Sequence, residues 1–356
     1  MFFTSEIIPS YAYTYIKIDY LKTLIIDDDT LLKLKIIYDI DDFMESIRPY
    51  YPNLDLKENT IEDIEVALNN NYIQLIGKIL HYSPQNMRIF LRNYLMKFEI
   101  QNLKQIIISL ILGISQEEKI KYINFLVEEY LDNTEFIEEL LKFTSLDEIQ
   151  LFLKRTKYNI AIREGILYFK KNKEIFILEA FLDQLYYKQL NVQLKNLNKK
   201  EKTMISLFVK YKTDIYNINM IFRGIKNNIE RKLLSQFLVD NYLFLNENIL
   251  ESLLNLDNLD EFISVIEKHL KNIEEIKPFF IKLRINQKHL IRSIEQFYIA
   301  YYFKKFKIKI DDIDFFTIYK ILEILIKKEK EIRFELLPRI VKILHYKFKA
   351  LKTQEF

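Results

Sequence analysis

The chain has 356 residues, 49% of them hydrophobic, with no Cys, no Trp, four Gly and six Pro. The apolar fraction excludes a disordered chain, and the absence of Cys excludes disulfides, thiolate nucleophiles and Cys-type zinc or iron–sulfur sites. Gly77, Gly113, Gly165 and Gly224 are too isolated to build a dinucleotide-binding or phosphate-cradling loop, and a net charge of +3 is too balanced for a general nucleic-acid footprint.

Scarce Gly and Pro beside abundant Ile, Leu, Lys, Glu, Phe and Tyr predict an all-α chain. The opening MFFTSEIIPSYAYTYIK has no basic stretch followed by an apolar one, so it does not read as a signal peptide. Asp27, Asp28 and Asp29 lack the glycine turn of a calcium loop, and the pattern predicts a loop followed by a helix from Thr30. Asp39, Asp41 and Asp42 read as a helix start.

A first marked helix carries Glu65 and, seven residues on, Tyr72, which two turns place on one face. Next comes FLRNYLMKFEIQNLKQIIISL, in which Ile100, Leu103, Ile107 and Leu110 form one apolar stripe behind Glu99. The longest near-apolar run, Ile106 to Ile114, is far shorter than the roughly 20 residues a membrane span needs. The same two marks return as Glu179 with Tyr186 and as Asp214 ahead of Ile215, Ile218, Phe222 and Ile225. They return once more as Glu295 with Tyr302 and as Glu331 ahead of Ile332, Leu336, Ile340 and Ile343, where Pro338 is predicted to kink or break the helix.

Glu99, Asp214 and Glu331 are separated by 115 and 117 residues. One third of the chain is about 119 residues, so the spacing predicts three similar helical units, taken as 1–124, 125–240 and 241–356. Each acidic residue is expected to sit at a helix N-terminus and stabilise the helix dipole, with Asn102 and Asn217 extending the polar cap. That reading makes Glu99, Asn102, Asp214, Asn217 and Glu331 structural.

Catalytic patterns are thin. His81, His269, His289 and His345 occur singly, with no metal-ligand spacing. Asp311, Asp312 and Asp314 read as another helix start. AYYFKKFKIKI, from Ala300 to Ile310, interleaves aromatic and basic residues as single-strand binders do. Arg is sparse there, however, and Tyr301, Tyr302 and Phe303 suit a repeat core, so the stretch reads against nucleic acid and at least as well as a basic patch for an acidic protein partner or a lipid head-group surface. Charge is uneven: residues 1–58 carry 6 basic against 11 acidic residues, and residues 303–356 carry 14 against 8, which makes solvated helix faces or a polar docking surface.

DIYNINMIFRGIK (Asp214 to Lys226), FEIQNLKQII (Phe98 to Ile107), LEAFLDQLYYKQL (Leu178 to Leu190) and KEKEIRFELLPRIV (Lys328 to Val341) resemble the C subunit of archaeal and bacterial V-type (A/V-type) ATP synthases, whose eukaryotic counterpart is the d subunit. In this chain Ile108 stands in the first unit where the second has Arg223, and Phe334 occupies the third unit's Asn position. The resemblance implies three similar helical domains in a pseudo-threefold funnel, without an active site, metal or cofactor. It further implies a place on the cytoplasmic face of the membrane, as one copy within a larger complex, between the central shaft subunits and the membrane rotor ring. Lys104, Arg223, Lys226 and the C-terminal basic segment are the expected partner contacts. Two other readings stay open: a generic α-helical repeat scaffold with an unrelated partner, and an enzyme acting through convergent carboxylates, which a buried carboxylate cluster in a closed pocket would favour.

Overall fold

A computed structural model describes residues 9–54, 60–275, 277, 290–306 and 312–354, with side chains as far as residue 345. The helices run α1 (Ala12–Lys22), α2 (Asp28–Leu34), α3 (Ile40–Ile47), α4 (Ile61–Tyr82), α5 (Gln85–Ile111), α6 (Gln116–Lys121), α7 (Phe125–Leu131), α8 (Thr134–Lys142), α9 (Leu146–Phe152), α10 (Asn159–Asn172), α11 (Ile175–Gln193) and α12 (Lys199–Lys226). They continue as α13 (Arg231–Gln236), α14 (Glu247–Leu254), α15 (Leu259–Lys271), α16 (Leu290–Phe306), α17 (Ile313–Lys330) and α18 (Leu337–Gln354). Among the described residues there is no strand, and the fold is all-α.

So many helices with so few glycines require other punctuation. Polar side chains start them: Asp27, Asp39, Thr60, Ser115, Asn124, Asn246, Asn258 and Asp312 each accept from a backbone N–H of the first turn. Ser145 and Asn198 form reciprocal capping boxes with Glu148 and Glu201, which satisfy donors that the helix itself leaves unpaired. At the far ends Gly113 (φ 68°) takes the left-handed conformation, but Asp132 (58°), Lys173 (62°) and Asn228 (54°) do the same without being glycine. Helix α2 starts two residues earlier than the sequence pattern predicts, because Asp27 accepts from Thr30 N at 2.8 Å.

Packing divides the chain into two compact units, residues 1–88 with 309–356, and residues 89–308. In the first, α1 lies on α17 and α4, and α18 on α4 and α3. The two ends of the chain thus share one core, with Phe43, Ile47, Leu68, Ile76, Ile321, Leu325 and Ile340 all fully buried. Tyr11 N donates to Asp314 Oδ1 at 2.9 Å across 303 residues of sequence. Pro338 does not end the helical run. Instead residues Glu331–Leu336 widen into a π segment between α17 and α18, because a proline neither donates to the carbonyl four residues back nor tolerates it close by.

In the second unit α12 is the central element, packed on α11, α15 and α16. Phe90, Tyr94, Phe208, Tyr211, Tyr298 and Tyr302 are buried together, with ring centroids 5.4–6.5 Å apart, a spacing at which edge-to-face and offset aromatic pairs are favourable. Gly165 lets α10 approach α11, since a Cβ there would lie 3.2 Å from Leu178 Cα. The Glu-and-Tyr pairs fall on α4, α11 and α16, as their spacing predicts.

Candidate functional site

The three repeated acidic residues are not at helix N-termini. Glu99 lies midway along α5 and Asp214 midway along α12, while Glu331 begins the π segment of a longer helical run. The apolar stripe behind each residue continues a helix already under way, so periodicity alone placed the start too late. Each carboxylate instead reaches across to another stretch of chain.

Asp214 accepts from the backbone N–H groups of Leu243, Phe244 and Leu245 at 3.2, 2.7 and 3.2 Å, and from the Tyr298 hydroxyl at 2.9 Å. Burial pushes its pKa up to about 6, against the opposing pull of those hydrogen bonds. Glu99 accepts from the Tyr158 hydroxyl at 2.6 Å, Lys157 Nζ at 3.2 Å and Asn133 Nδ2 at 3.3 Å. Glu331 accepts from Tyr51 Oη at 2.5 Å, Ile26 N at 2.8 Å and Lys328 Nζ at 2.8 Å. Burial, and after it the adjacent carboxylate, raises the pKa of Tyr51, Tyr158 and Tyr298 well above the ordinary phenol value, so each stays a donor. Lys328 also donates to Leu24 O at 2.7 Å and stands 3.4 Å from the centroid of the Tyr51 ring. Burial lowers its pKa to about 8, partly offset by Glu331.

Asn102 and Asn217 do equivalent work. Asn102 donates to Asn124 O at 2.9 Å and accepts from Asn124 N at 2.8 Å. Asn217 does the same to Val239 at 2.9 and 3.0 Å. Each amide therefore holds the backbone of a residue 22 positions further on. Neither belongs to an N-terminal cap. Asn102 also donates to Glu128 Oε1 at 2.6 Å, while Glu128 Oε2 is buried without a hydrogen-bond partner. Burial raises the Glu128 pKa to about 8.

The tyrosines of the second mark meet the helices of the first. Tyr72 donates to Leu325 O at 3.1 Å and Tyr186 to Tyr94 O at 3.5 Å, while the Tyr302 ring lies 6.5 Å from that of Phe208. Leu325 and Phe208 precede Glu331 and Asp214 by six residues, and Tyr94 precedes Glu99 by five. The first tyrosine thus meets the third acidic helix, the second meets the first, and the third meets the second.

Lys104 and Arg223 come to the same helix. Lys104 Nζ pairs with Asp183 at 2.6 Å and Arg223 with Glu179 at 3.3 Å, four residues apart on α11. The Arg223 guanidinium also stands 4.6 Å from the Phe176 ring centroid. Lys226, the last residue of α12, is exposed and pairs with no described residue. Gly224 between them has a packing reason, because a Cβ there would collide with the Leu234 side chain. His269 Nε2 is hydrogen-bonded to Phe244 O at 2.7 Å, and Asp39 and Asp312 are helix caps. Asp311, His289 and residues 307–310 of the basic-aromatic stretch lie outside the described residues, as do the side chains at the end of the C-terminal basic segment. Among the described residues no cluster of His, Asp and Glu has metal-site geometry, and no helix is long and apolar enough to cross a membrane.

Of the partners Tyr51, Tyr158, Lys328 and Asp183, the first two and the last carry no mark in the sequence. Only Lys328 carried a signal, standing one helical turn before Glu331.

The arrangement defines an all-helical protein in which three repeated acidic positions tie distant segments together and are satisfied by the chain's own donors. A family model for the ATP synthase (C/AC39) subunit matches residues 17–334, and the chain belongs to that family. Relatives named as the C subunit of A-type ATP synthase include those of Methanosphaera stadtmanae (22% identical, covering 61% of this chain and 58% of the relative), Pyrococcus furiosus (22%, 72% and 68%) and Methanococcoides burtonii (25%, 73% and 71%). Against the first of these, the match spans less than two thirds of the relative's own length.

Proposed function

We propose that the protein is a non-catalytic central-stalk subunit that passes torque between the rotating shaft and the membrane rotor ring of a V-type ATPase or ATP synthase. In this reading it sits peripherally on the cytoplasmic face, one copy per complex, and needs no cofactor. Three similar helical domains, 1–124, 125–240 and 241–356, form a pseudo-threefold funnel. The observation that carries the reading is the threefold recurrence of a buried acidic residue bonded to a tyrosine hydroxyl. The 1-to-3, 2-to-1 and 3-to-2 order of the Tyr72, Tyr186 and Tyr302 contacts supports it further.

A torque-bearing part has to resist deformation, and buried charge-assisted hydrogen bonds between distant segments serve that need. The same saturation argues against the enzyme reading, since these carboxylates have no free face for a substrate. Lys104, Arg223 and Lys226 are proposed as partner contacts. Lys226 is immediately available, and the other two would exchange their α11 carboxylates for a partner's.

Reconstitution of the complex with and without this subunit tests the function. ATP hydrolysis should persist without it while ATP-driven ion transport is lost, and shaft and ring subunits should be recovered with a tagged copy. Coupling and assembly that are indifferent to its removal would refute the proposal. Arg223→Glu that leaves both unchanged would remove Arg223 from the contact surface.

A further inference from the structure

Helix α10 presents a face that the fold leaves uncovered. Ala161, Ile162, Gly165, Ile166 and Phe169 point inward and are buried. The outward stripe, at offsets 0, 3, 7, 10 and 11, reads Ile160, Arg163, Leu167, Lys170 and Lys171, with Ile160 67% and Leu167 54% exposed. Helix α9 and the turn after it pack beside α10 and add Leu151, 72% exposed, with exposed Lys154 and Arg155. What distinguishes this face is the clustering: Leu151, Ile160 and Leu167 stand exposed on adjoining elements, interspersed with long cationic side chains.

The charge of the patch is only partly cancelled by its own neighbours. Glu164 holds Arg163 at 2.7 Å, Asp147 holds Lys170 at 2.5 Å and Glu99 holds Lys157 at 3.2 Å. Lys154, Arg155 and Lys171 have no acidic partner among the described residues, and Lys173 Nζ lies 5.5 Å from the Phe169 ring centroid. With Glu148 and Glu174 included, residues 147–174 still hold seven Lys or Arg against four Asp or Glu.

The geometry points to an anionic lipid surface as the partner of this face. Its aliphatic side chains can enter the headgroup boundary while the long cationic ones lie along it with their charged ends in water. The stripe runs straight along a convex helix for about 16 Å, which suits a plane better than an extended peptide. Lysine predominates among the unpaired cations, giving diffuse point charge in place of the bidentate arginine fork that reads individual carboxylates. The lipid contact adds to the rotor role and is independent of it.

Sedimentation of the full-length protein with vesicles tests the assignment. Phosphatidylglycerol-containing vesicles should bind it and pure phosphatidylcholine vesicles should not, with binding weakened by added salt. Each basic residue near such a surface multiplies partitioning by about five, so Lys154→Gln with Lys171→Gln should lower it about 25-fold. Ile160→Ser with Leu167→Ser should weaken binding and make the remainder more salt-sensitive. All four substitutions are at exposed positions, and unchanged melting curves check that the variants fold. Equal binding to both vesicle types, or variants that bind like the wild type, would overturn the proposal. So would soluble polyglutamate outcompeting vesicles of equal charge, which would assign the face to an acidic polypeptide. A failure of the rotor proposal would leave these vesicle results unchanged.

Discussion

The Tyr298 hydroxyl donates to Asp214 Oδ2 at 2.9 Å, joining the middle of α12 to α16 inside the second compact unit. Asp214 is fully buried and also receives three consecutive backbone N–H groups. Tyr298→Phe removes one donor and leaves the other three, so it should cost about 1.5–3 kcal/mol, the usual range for a hydrogen bond to a charged group. Asp214→Ala strands all four donors and should cost distinctly more, about 4 kcal/mol or above. Urea midpoints at unchanged slope would measure both.

Stability should fall as pH rises through the weakly acidic range. A carboxyl with a folded pKa of about 6 against an ordinary 3.8, as for Asp214, binds more protons in the folded chain than in the unfolded chain between those values. Glu128, raised to about 8 from 4.5, acts in the same direction over a wider window. The contributions of these two groups are fully present below pH 4 to 5, and the part lost on going to pH 8 is of the order of several kcal/mol from the two together. The lowered carboxyls of Asp27, Glu148 and Glu323 act in the opposite direction at more acidic pH. Glu128→Gln should flatten this slope and stabilise the protein at pH 8 by about 1–3 kcal/mol, with little effect near pH 5. Urea melts across that range give the answer directly.

Asn102→Ala and Asn217→Ala should both destabilise, Asn102→Ala the more because it also removes the bond to Glu128 Oε1. Each deletes a reciprocal pair of bonds to a backbone group 22 residues ahead, and each should cost about 2–3 kcal/mol. Urea midpoints that put Asn217→Ala at or above the cost of Asn102→Ala would overturn this order.

Gly224→Ala should destabilise by about 1–3 kcal/mol through overpacking against buried Leu234. Leu234→Ala should recover part of that loss when the two are combined, and a double-mutant cycle reads the coupling. The opposite sign is expected at Lys173, a non-glycine residue with φ 62°. There Lys173→Gly should raise stability by about 1 kcal/mol, because the left-handed conformation penalises a Cβ.

A buried lysine is safe only with its partner. Lys328→Met leaves the Glu331 carboxylate in a site where Lys328 and Glu331 side chains are 2% and 3% exposed, so it should cost about 3–5 kcal/mol. Lys328→Met with Glu331→Gln removes the stranded charge and should cost less than Lys328→Met alone. Chemical denaturation of the two variants side by side tests that order.

The sequence by itself determined the helical class, the positions of the Glu-and-Tyr helices and the 115-residue periodicity, because apolar spacing and scarce Gly and Pro act locally along the chain. It also carried the family resemblance in DIYNINMIFRGIK and its companions. What Glu99, Asp214 and Glu331 do was settled only by tertiary structure. A carboxylate before an isoleucine looks the same in sequence whether it opens a helix or lies in its middle, and its partners Tyr158, Tyr298 and Tyr51 are set by packing between segments up to 280 residues apart. The shared core of the two chain ends was hidden for the same reason, since hydrophobic burial rewards any apolar surface and sequence distance leaves no mark on it.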